Sequence, residues 1–230
     1  MRLKHITGSE DAVAASPQVI HEPESMKGKW REYFGGRKIA LEIGCGKGKF
    51  VTQLAALNSE TAYVGLDFYS SVLVKALKKD SEQLANLKFL WMDARNLGEV
   101  FAEGEVDVIY LNFSDPWPKD RHAKRRLTAP GFLRKWQGLL AADGRLEFKT
   151  DNMPLFDWSA ETLKSEGWTI TVLTHDLHHD PVLSEGNVMT EYEAKFSAKG
   201  NPIGKLIALP PKDKGDNSNS GLLAEPELLH

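Results

Sequence analysis

The chain has 230 residues, of which 41% are hydrophobic and 27% charged, a composition typical of one globular domain. Its formal net charge of −3 excludes a general attraction to nucleic acid, so any such binding must come from local clusters of basic residues. We find no apolar run that predicts a membrane span, no secretory signal at the charged N-terminus, and only one cysteine, Cys45. We therefore expect a cytoplasmic protein without an internal disulfide.

Short apolar runs alternate with segments of helical spacing from residue 38 onward. We predict strands at 38–43, 62–66, 87–92, 106–113 and 145–150, helices at 50–57, 70–79, 131–140 and 153–165, and two late strands, possible partners in an antiparallel pair, at 168–174 and 188–198. This alternation predicts right-handed βαβ units, and therefore an α/β fold with a mainly parallel sheet.

The domain boundaries follow from changes in composition. Residues 1–37 form a mildly basic N-terminal arm without strong periodicity, ending in a short helix at 30–34. Residues 38–209 form the folded domain. Residues 210–230 are polar and rich in helix and strand breakers at first, which predicts a disordered tail.

Five acidic side chains fall at the ends of predicted strands, namely Glu42, Asp67, Asp93, Asp115 and Asp151. In an open parallel sheet, ligands bind beyond the carboxyl ends of the strands. We therefore expect these acids to line one binding cleft, although Asp is also common in turns and at helix N-termini.

A glycine turn, Gly44-Cys-Gly-Lys-Gly48, follows the first strand and opens a helix. A dinucleotide fingerprint requires a small residue at position 49, where this chain has Lys49, and the carboxylate of Glu42 would repel a pyrophosphate. S-adenosylmethionine instead offers an ammonium group, a sulfonium and no phosphate. In this interpretation Asp67 accepts the ribose hydroxyls and Asp93 accepts the adenine amino group.

The segment Tyr110-Leu-Asn-Phe-Ser-Asp-Pro-Trp-Pro-Lys119 reads as a buried strand that ends in an acid on a rigid turn. Asp115 could accept the two donors on the Watson–Crick edge of a guanine and leave N7 facing the cofactor, or it could accept a proton from an exocyclic amine. Trp117 could stack on a base or pack in the core.

Five basic side chains lie within eight residues directly after this turn: Lys119, Arg121, Lys124, Arg125 and Arg126. Such a run is often only a solvated surface. Its position beside the predicted pocket favours binding to an RNA backbone.

These motifs resemble those of the bacterial tRNA (guanine-N7-)-methyltransferases. The resemblance lies in residues 42–48, 113–119, 121–126, 149–152 and 190–193. It implies a class I methyltransferase fold, Rossmann-like, with a mainly parallel seven-stranded sheet and helices on both faces. It also implies methyl transfer from S-adenosylmethionine to N7 of the variable-loop guanosine of tRNA, position 46. The sequence does not distinguish a monomer from a homodimer.

The same resemblance implies a role for each site residue. Asp115 is the expected catalytic acid. The expected cofactor-binding residues are Glu42, Gly44, Gly46, Asp67, Asp93 and Asp115. The expected substrate-binding residues are Lys119, Asp151, Thr190, Glu191, Tyr192 and Glu193. The expected RNA-binding residues are Arg121, His122, Ala123, Lys124, Arg125 and Arg126. Many members have Glu in place of Asp67 and Asn in place of Asp93, and both differences keep an acceptor.

Other interpretations remain open at this point. The substrate could be another RNA base or a protein, or the chain could be a non-catalytic RNA-binding protein on a relic fold. An NAD-dependent oxidoreductase is disfavoured by Glu42 and Lys49. We predict no metal site, because the histidines of residues 175–180 do not follow a known zinc spacing.

Overall fold

The computed structural model describes residues 6–80 and 82–212. The strands are β1 (Lys38–Ile43), β2 (Thr61–Asp67), β3 (Leu87–Trp91), β4 (Val106–Asn112), β5 (Leu140–Thr150), β6 (Thr169–Thr174) and β7 (Gly204–Leu209). The α-helices are α1 (Ser9–Ala14), α2 (Trp30–Tyr33), α3 (Lys49–Leu57), α4 (Ser70–Lys79), α5 (Leu97–Val100), α6 (Pro130–Leu139), α7 (Met153–Ser165) and α8 (Glu191–Ser197). Most of the tail predicted from residue 210, namely 213–230, lies outside the described residues.

All seven strands join one sheet in the order β3-β2-β1-β4-β5-β7-β6. The pairs formed among β1 to β5 are parallel, and β7 runs antiparallel to both β5 and β6. The prediction of a mainly parallel α/β sheet is therefore confirmed, with one reversed strand near an edge.

The prediction of a strand at 188–198 is wrong. Residues 191–197 form helix α8, because the Thr190 hydroxyl accepts a 2.9 Å hydrogen bond from the backbone N–H of Glu193 and caps the helix. The antiparallel partner of β6 is β7, which the sequence analysis did not predict.

Helices cover both faces of the sheet because its central strands are apolar on both sides. On one face Leu41, Ile109 and Phe148 pack with Trp136 of α6 and Phe156 of α7. On the other face a smaller core forms between α3, α4 and the strands β1 to β3. Within the described residues, no helix is both long and apolar enough to cross a membrane.

The N-terminal arm is more ordered than its weak periodicity suggested. Helix α1 packs on α4, and the Ser9 and Ser70 hydroxyls lie 2.9 Å apart. Phe89 donates its N–H to Gln18 O, and Ile20 donates to Phe89 O, so this segment covers the free edge of β3. The short helix predicted at 30–34 is confirmed as α2.

Candidate active site

The strand-end acids lie at one edge of the sheet. Glu42, Asp67, Asp93, Asp115 and Asp151 lie at or just after the carboxyl ends of β1 to β5, respectively. Because these strands are parallel neighbours, the acids form a line along that edge. The chain topology thus brings together residues that lie more than 100 positions apart in the sequence.

Glu42 is the most deeply buried of these acids, with 2% of its surface exposed. Asn112 donates a 2.9 Å hydrogen bond to Glu42 Oε1, whereas Oε2 is buried and has no hydrogen-bond partner among the described residues. Burial raises the pKa of Glu42 to about 7. A buried acceptor without a donor is costly, and a ligand ammonium would supply the missing donor and charge.

The glycine turn leaves open space beside Glu42. Gly44 and Gly46 adopt left-handed φ values of 78° and 57°, and a Cβ on either would meet no atom within 4 Å. Their backbone is therefore accessible to a ligand. Gly48 serves packing instead, since a Cβ there would lie 2.6 Å from the Cβ of Ala76 in α4.

Asp67 is held by the backbone at the end of β2. Gly46 N–H donates to Oδ2 at 2.9 Å, and Tyr69 N–H donates to Oδ1 at 2.8 Å. Burial raises the pKa of Asp67. Each carboxylate oxygen keeps a second lone pair, so Asp67 can still accept hydrogen bonds from a ribose diol.

Asp93 lies beyond the end of β3 and is engaged by a neighbour. Its Oδ2 accepts 2.6 and 2.9 Å hydrogen bonds from the guanidinium of Arg95, and its Oδ1 accepts from the Arg95 N–H. These hydrogen bonds lower the pKa of Asp93. Asp93 thus remains an acceptor at the cleft, but it shares its carboxylate with Arg95.

Asp115 is exposed on a strained loop after β4. Phe113 and Trp117 on either side of it adopt positive φ values of 52° and 41°, which are unfavourable for residues other than glycine. Arg126 donates 3.1 Å hydrogen bonds to the carbonyl oxygens of Pro116 and Trp117. The fold therefore fixes the loop and leaves the carboxylate of Asp115 in solvent.

Arg126 differs from the rest of the basic run. It is buried, and its guanidinium carbon lies 4.3 Å from the ring centroid of Trp158. Two of its donors are directed at the loop that carries Asp115, and the expected contact of Arg126 with RNA stays a prediction. Lys119, Arg121, Lys124 and Arg125 are exposed, whereas His122 and Ala123 are half-buried. Binding of RNA by these residues stays a prediction.

Trp117 is half-buried and lies against Arg125 and His122. The guanidinium carbon of Arg125 lies 4.9 Å from the ring centroid of Trp117, and the His122 ring meets it edge-on at 5.8 Å. The indole thus lies at the surface rather than in either hydrophobic core.

Helix α8 brings the expected substrate-binding residues to the same edge. The ring of Tyr192 lies 5.0 Å from that of Phe113, and its hydroxyl lies 3.5 Å from Asp151 Oδ2. Glu193 points the other way and is fully buried. It accepts a 2.6 Å hydrogen bond from Lys149 Nζ, which joins helix α8 to β5, and its expected contact with substrate stays a prediction.

Sequence reasoning missed two polar residues of the site, Asn112 and Lys149. Asn112 ends β4 and orients Glu42, and Lys149 is buried near the end of β5, where burial lowers the pKa of its amine. Polar side chains within otherwise apolar strands were the available signal. Among residues 6–80 and 82–212, no three His, Cys, Asp or Glu side chains are grouped as metal ligands would be.

The comparisons with known proteins agree with this geometry. Residues 36–206 match a family model described as "Putative methyltransferase". The crystal structure of the 16S rRNA methyltransferase KamB has the same fold, with a TM-score of 0.61, 16% identity and coverage of 80% of this chain and 94% of the other. Fold and site together define a class I methyltransferase that uses S-adenosylmethionine.

The most informative relatives are curated bacterial enzymes. The tRNA (guanine-N(7)-)-methyltransferase of Lachnoclostridium phytofermentans is 51% identical over 93% of this chain and 100% of its own length. That of a Geobacillus species is 49% identical over 92% of this chain and 97% of its own length. The chain belongs to the tRNA (guanine-N(7)-)-methyltransferase family, as its motifs predicted.

Proposed function

We propose that this protein transfers a methyl group from S-adenosylmethionine to N7 of the variable-loop guanosine, position 46, of tRNA. One observation carries the proposal. Glu42, whose buried Oε2 has no hydrogen-bond partner among the described residues, lies at the carboxyl end of β1, and the exposed Asp115 follows the neighbouring parallel strand β4, so an acceptor suited to a cation and an acid suited to a base lie at the same edge of the sheet.

The residues of the cofactor pocket fit S-adenosylmethionine, which supplies an electrophilic methyl group on its sulfonium. Glu42 would accept a hydrogen bond from the ammonium group. The backbone of Gly44 and Gly46 would lie against the ligand, and Asp67 would accept the ribose hydroxyls. Asp93 would accept from the adenine amino group while it keeps its bonds to Arg95.

Asp115 would hold the guanine by accepting its N1–H and N2–H donors. N7 carries a free lone pair, so its attack on the methyl carbon needs no prior removal of a proton. As the N7–carbon bond forms and the carbon–sulfur bond breaks, positive charge appears on the guanine ring. A fixed carboxylate at hydrogen-bond distance stabilises that charge. Tyr192, which packs on Phe113, and Asp151, which lies 3.5 Å from the Tyr192 hydroxyl, would complete the substrate side of the cleft.

The exposed residues Lys119, Arg121, Lys124 and Arg125 would bind backbone phosphates next to the pocket. The protein as a whole is slightly acidic, so this local cluster must supply the electrostatic attraction. Its position directly after the Asp115 loop would place a bound nucleotide near the carboxylate.

The experiment that tests the proposal is methyl transfer from labelled S-adenosylmethionine to unmodified tRNA. The matched control is the same tRNA with its variable-loop guanosine changed to adenosine, and the product is tested for strand scission at N7-methylguanosine. We expect label and scission only in the first RNA. Label in both RNAs would mean that the methylated base is a different one. Label in neither RNA would overturn the proposal that tRNA is the substrate.

A further inference from the structure

Glu191 joins three elements that the cleft depends on. Its Oε2 accepts a 2.9 Å hydrogen bond from Lys47 in the glycine turn, and its Oε1 lies 2.6 Å from Lys79 Nζ at the end of α4. The hydrogen bonds from the two lysines, that from Lys79 foremost, lower the pKa of Glu191. One carboxylate at the start of α8 thus links this helix to the glycine turn and to the end of α4.

The ion pairs of Glu191 and Glu193 differ in environment. Lys149 and Glu193 are buried, and Lys149 also donates to the Val188 carbonyl at 3.0 Å, so breaking this pair would leave a buried charge without a partner. The three side chains of the Glu191 network are 34% to 49% exposed. An exposed network of ion pairs forms and breaks at a low cost in free energy, so it can respond to ligand binding at the glycine turn.

The turn that carries Lys47 is a part of the expected cofactor pocket that contacts α8, through Glu191. Lys47 lies between Gly46 and Gly48, both with positive φ, and the Gly46 N–H is bonded to Asp67. A ligand that fills the space beside this turn and bonds to Asp67 would restrict the backbone on both sides of Lys47. Lys47 would then hold Glu191 in one position.

The next residue along α8 faces the substrate side. Tyr192 packs on Phe113, two residues before Asp115, and its hydroxyl reaches toward Asp151. Adjacent residues of one short helix therefore contact the cofactor turn and the loop of the expected catalytic acid.

We propose that Glu191 is a positioning residue which couples cofactor binding at the glycine turn to RNA binding at the Asp115 loop. The inference rests on the proposed function and adds to it. Glu191 acts through Lys47 and Lys79 and does not itself contact the guanine. Occupation of the cofactor pocket fixes α8, and the fixed helix presents Tyr192 to the incoming base.

The test is the affinity of the protein for unmodified tRNA with and without saturating S-adenosylhomocysteine, measured for the wild type and for Glu191→Gln. We expect S-adenosylhomocysteine to tighten tRNA binding about fivefold in the wild type and less than about twofold in Glu191→Gln. The readout is the ratio of the tRNA affinity with S-adenosylhomocysteine to the tRNA affinity without it. The ratio is used because removing an acid near RNA raises the affinity itself in both states.

Two further variants make the test specific. Glu166→Gln removes an exposed ion pair of the same kind, with Arg134 at 2.8 Å, and should keep the wild-type ratio. Lys47→Gln should lower the ratio, and adding Glu191→Gln to it should lower the ratio no further, because both changes break one network.

The outcomes separate the inference from the proposed function. A wild type that methylates tRNA but shows no ratio above one, or a Glu191→Gln variant that keeps the wild-type ratio, overturns the coupling. Additive effects of Lys47→Gln and Glu191→Gln overturn it as well. A wild type that neither binds nor methylates tRNA overturns the proposed function, and the inference fails with it.

Discussion

Asn112 Nδ2 donates a 2.9 Å hydrogen bond to Glu42 Oε1, while the other carboxylate oxygen of Glu42 is buried and receives no hydrogen bond from the part of the chain that the structure describes. The side chain is thus oriented for a ligand but only half satisfied without one. Burial raises its pKa from 4.5 to about 7, which makes this carboxyl group costly to ionise in the free protein. The buried carboxylate of Glu42 therefore destabilises the ligand-free protein, and a cationic ligand would remove this effect.

This relationship predicts a pH-dependent stability. The pKa of Glu42 is raised on folding, so the protonated carboxyl group contributes to the free energy of unfolding. This contribution is fully present below pH 4.5 and is lost as pH rises through about 7. Between these limits the ligand-free wild type should lose about 3 kcal/mol of unfolding free energy relative to Glu42→Gln. Urea unfolding of both proteins from pH 5 to pH 8 measures the difference, with the exposed Glu60→Gln as control. A difference that stays constant with pH would contradict the raised pKa.

Substitution of two glycines of the turn by alanine should have different effects, one on stability and one on cofactor binding. Gly48→Ala adds a Cβ 2.6 Å from the Cβ of Ala76 at a φ of 72°, so we expect a loss of about 3 kcal/mol in unfolding free energy. Gly44→Ala meets open space and should cost only the strain of its positive φ, about 1 kcal/mol, but should weaken S-adenosylhomocysteine binding about tenfold or more. Urea unfolding and calorimetric titration separate the two. Equal cofactor affinity in Gly44→Ala and wild type would exclude Gly44 from the pocket.

Much of the fold could be predicted because local signals agree with the tertiary structure. The β1 and α7 ranges were predicted to the residue, since an apolar run before a glycine turn and a strong helical period leave little choice. The strand-end positions of Glu42 and Asp67 followed from the same pattern. The helix α8 was assigned wrongly, although the Thr190–Glu193 spacing contains a helix-capping signal.

The contacts that organise the site could not be predicted, because they join residues distant in sequence. Lys149 donates a hydrogen bond to Glu193, which lies 44 positions later in the chain. Asn112 donates one to Glu42, which lies 70 positions earlier. Arg126 looks like any member of a basic run, and only the folded loop shows that its guanidinium turns inward. Packing, which sequence periodicity does not specify, decides which charged residue is buried.

Asp115→Ala should abolish methyl transfer while leaving cofactor affinity within a few fold. Removing a fixed group that stabilises developing charge lowers the rate by about 100-fold to 1,000-fold, and Asp115 is also expected to orient the base. Single-turnover methylation and calorimetric binding of S-adenosylhomocysteine measure the two effects, with Asp120→Ala as an exposed control five residues on. A large loss of cofactor affinity in Asp115→Ala would instead place this side chain in the cofactor pocket.

The neighbours Arg125 and Arg126 should respond differently to substitution, because one is exposed and the other is buried. Arg125→Ala should weaken tRNA binding and reduce the slope of log affinity against log salt by about 1, with little change in thermal stability. Arg126→Ala removes two hydrogen bonds to the Pro116 and Trp117 carbonyls, so it should lower the midpoint of thermal unfolding and slow methylation without changing the salt slope. Filter binding across a salt series and thermal unfolding of both variants measure these effects. The same reduction of the salt slope in both would mean that Arg126 leaves the loop to bind phosphate.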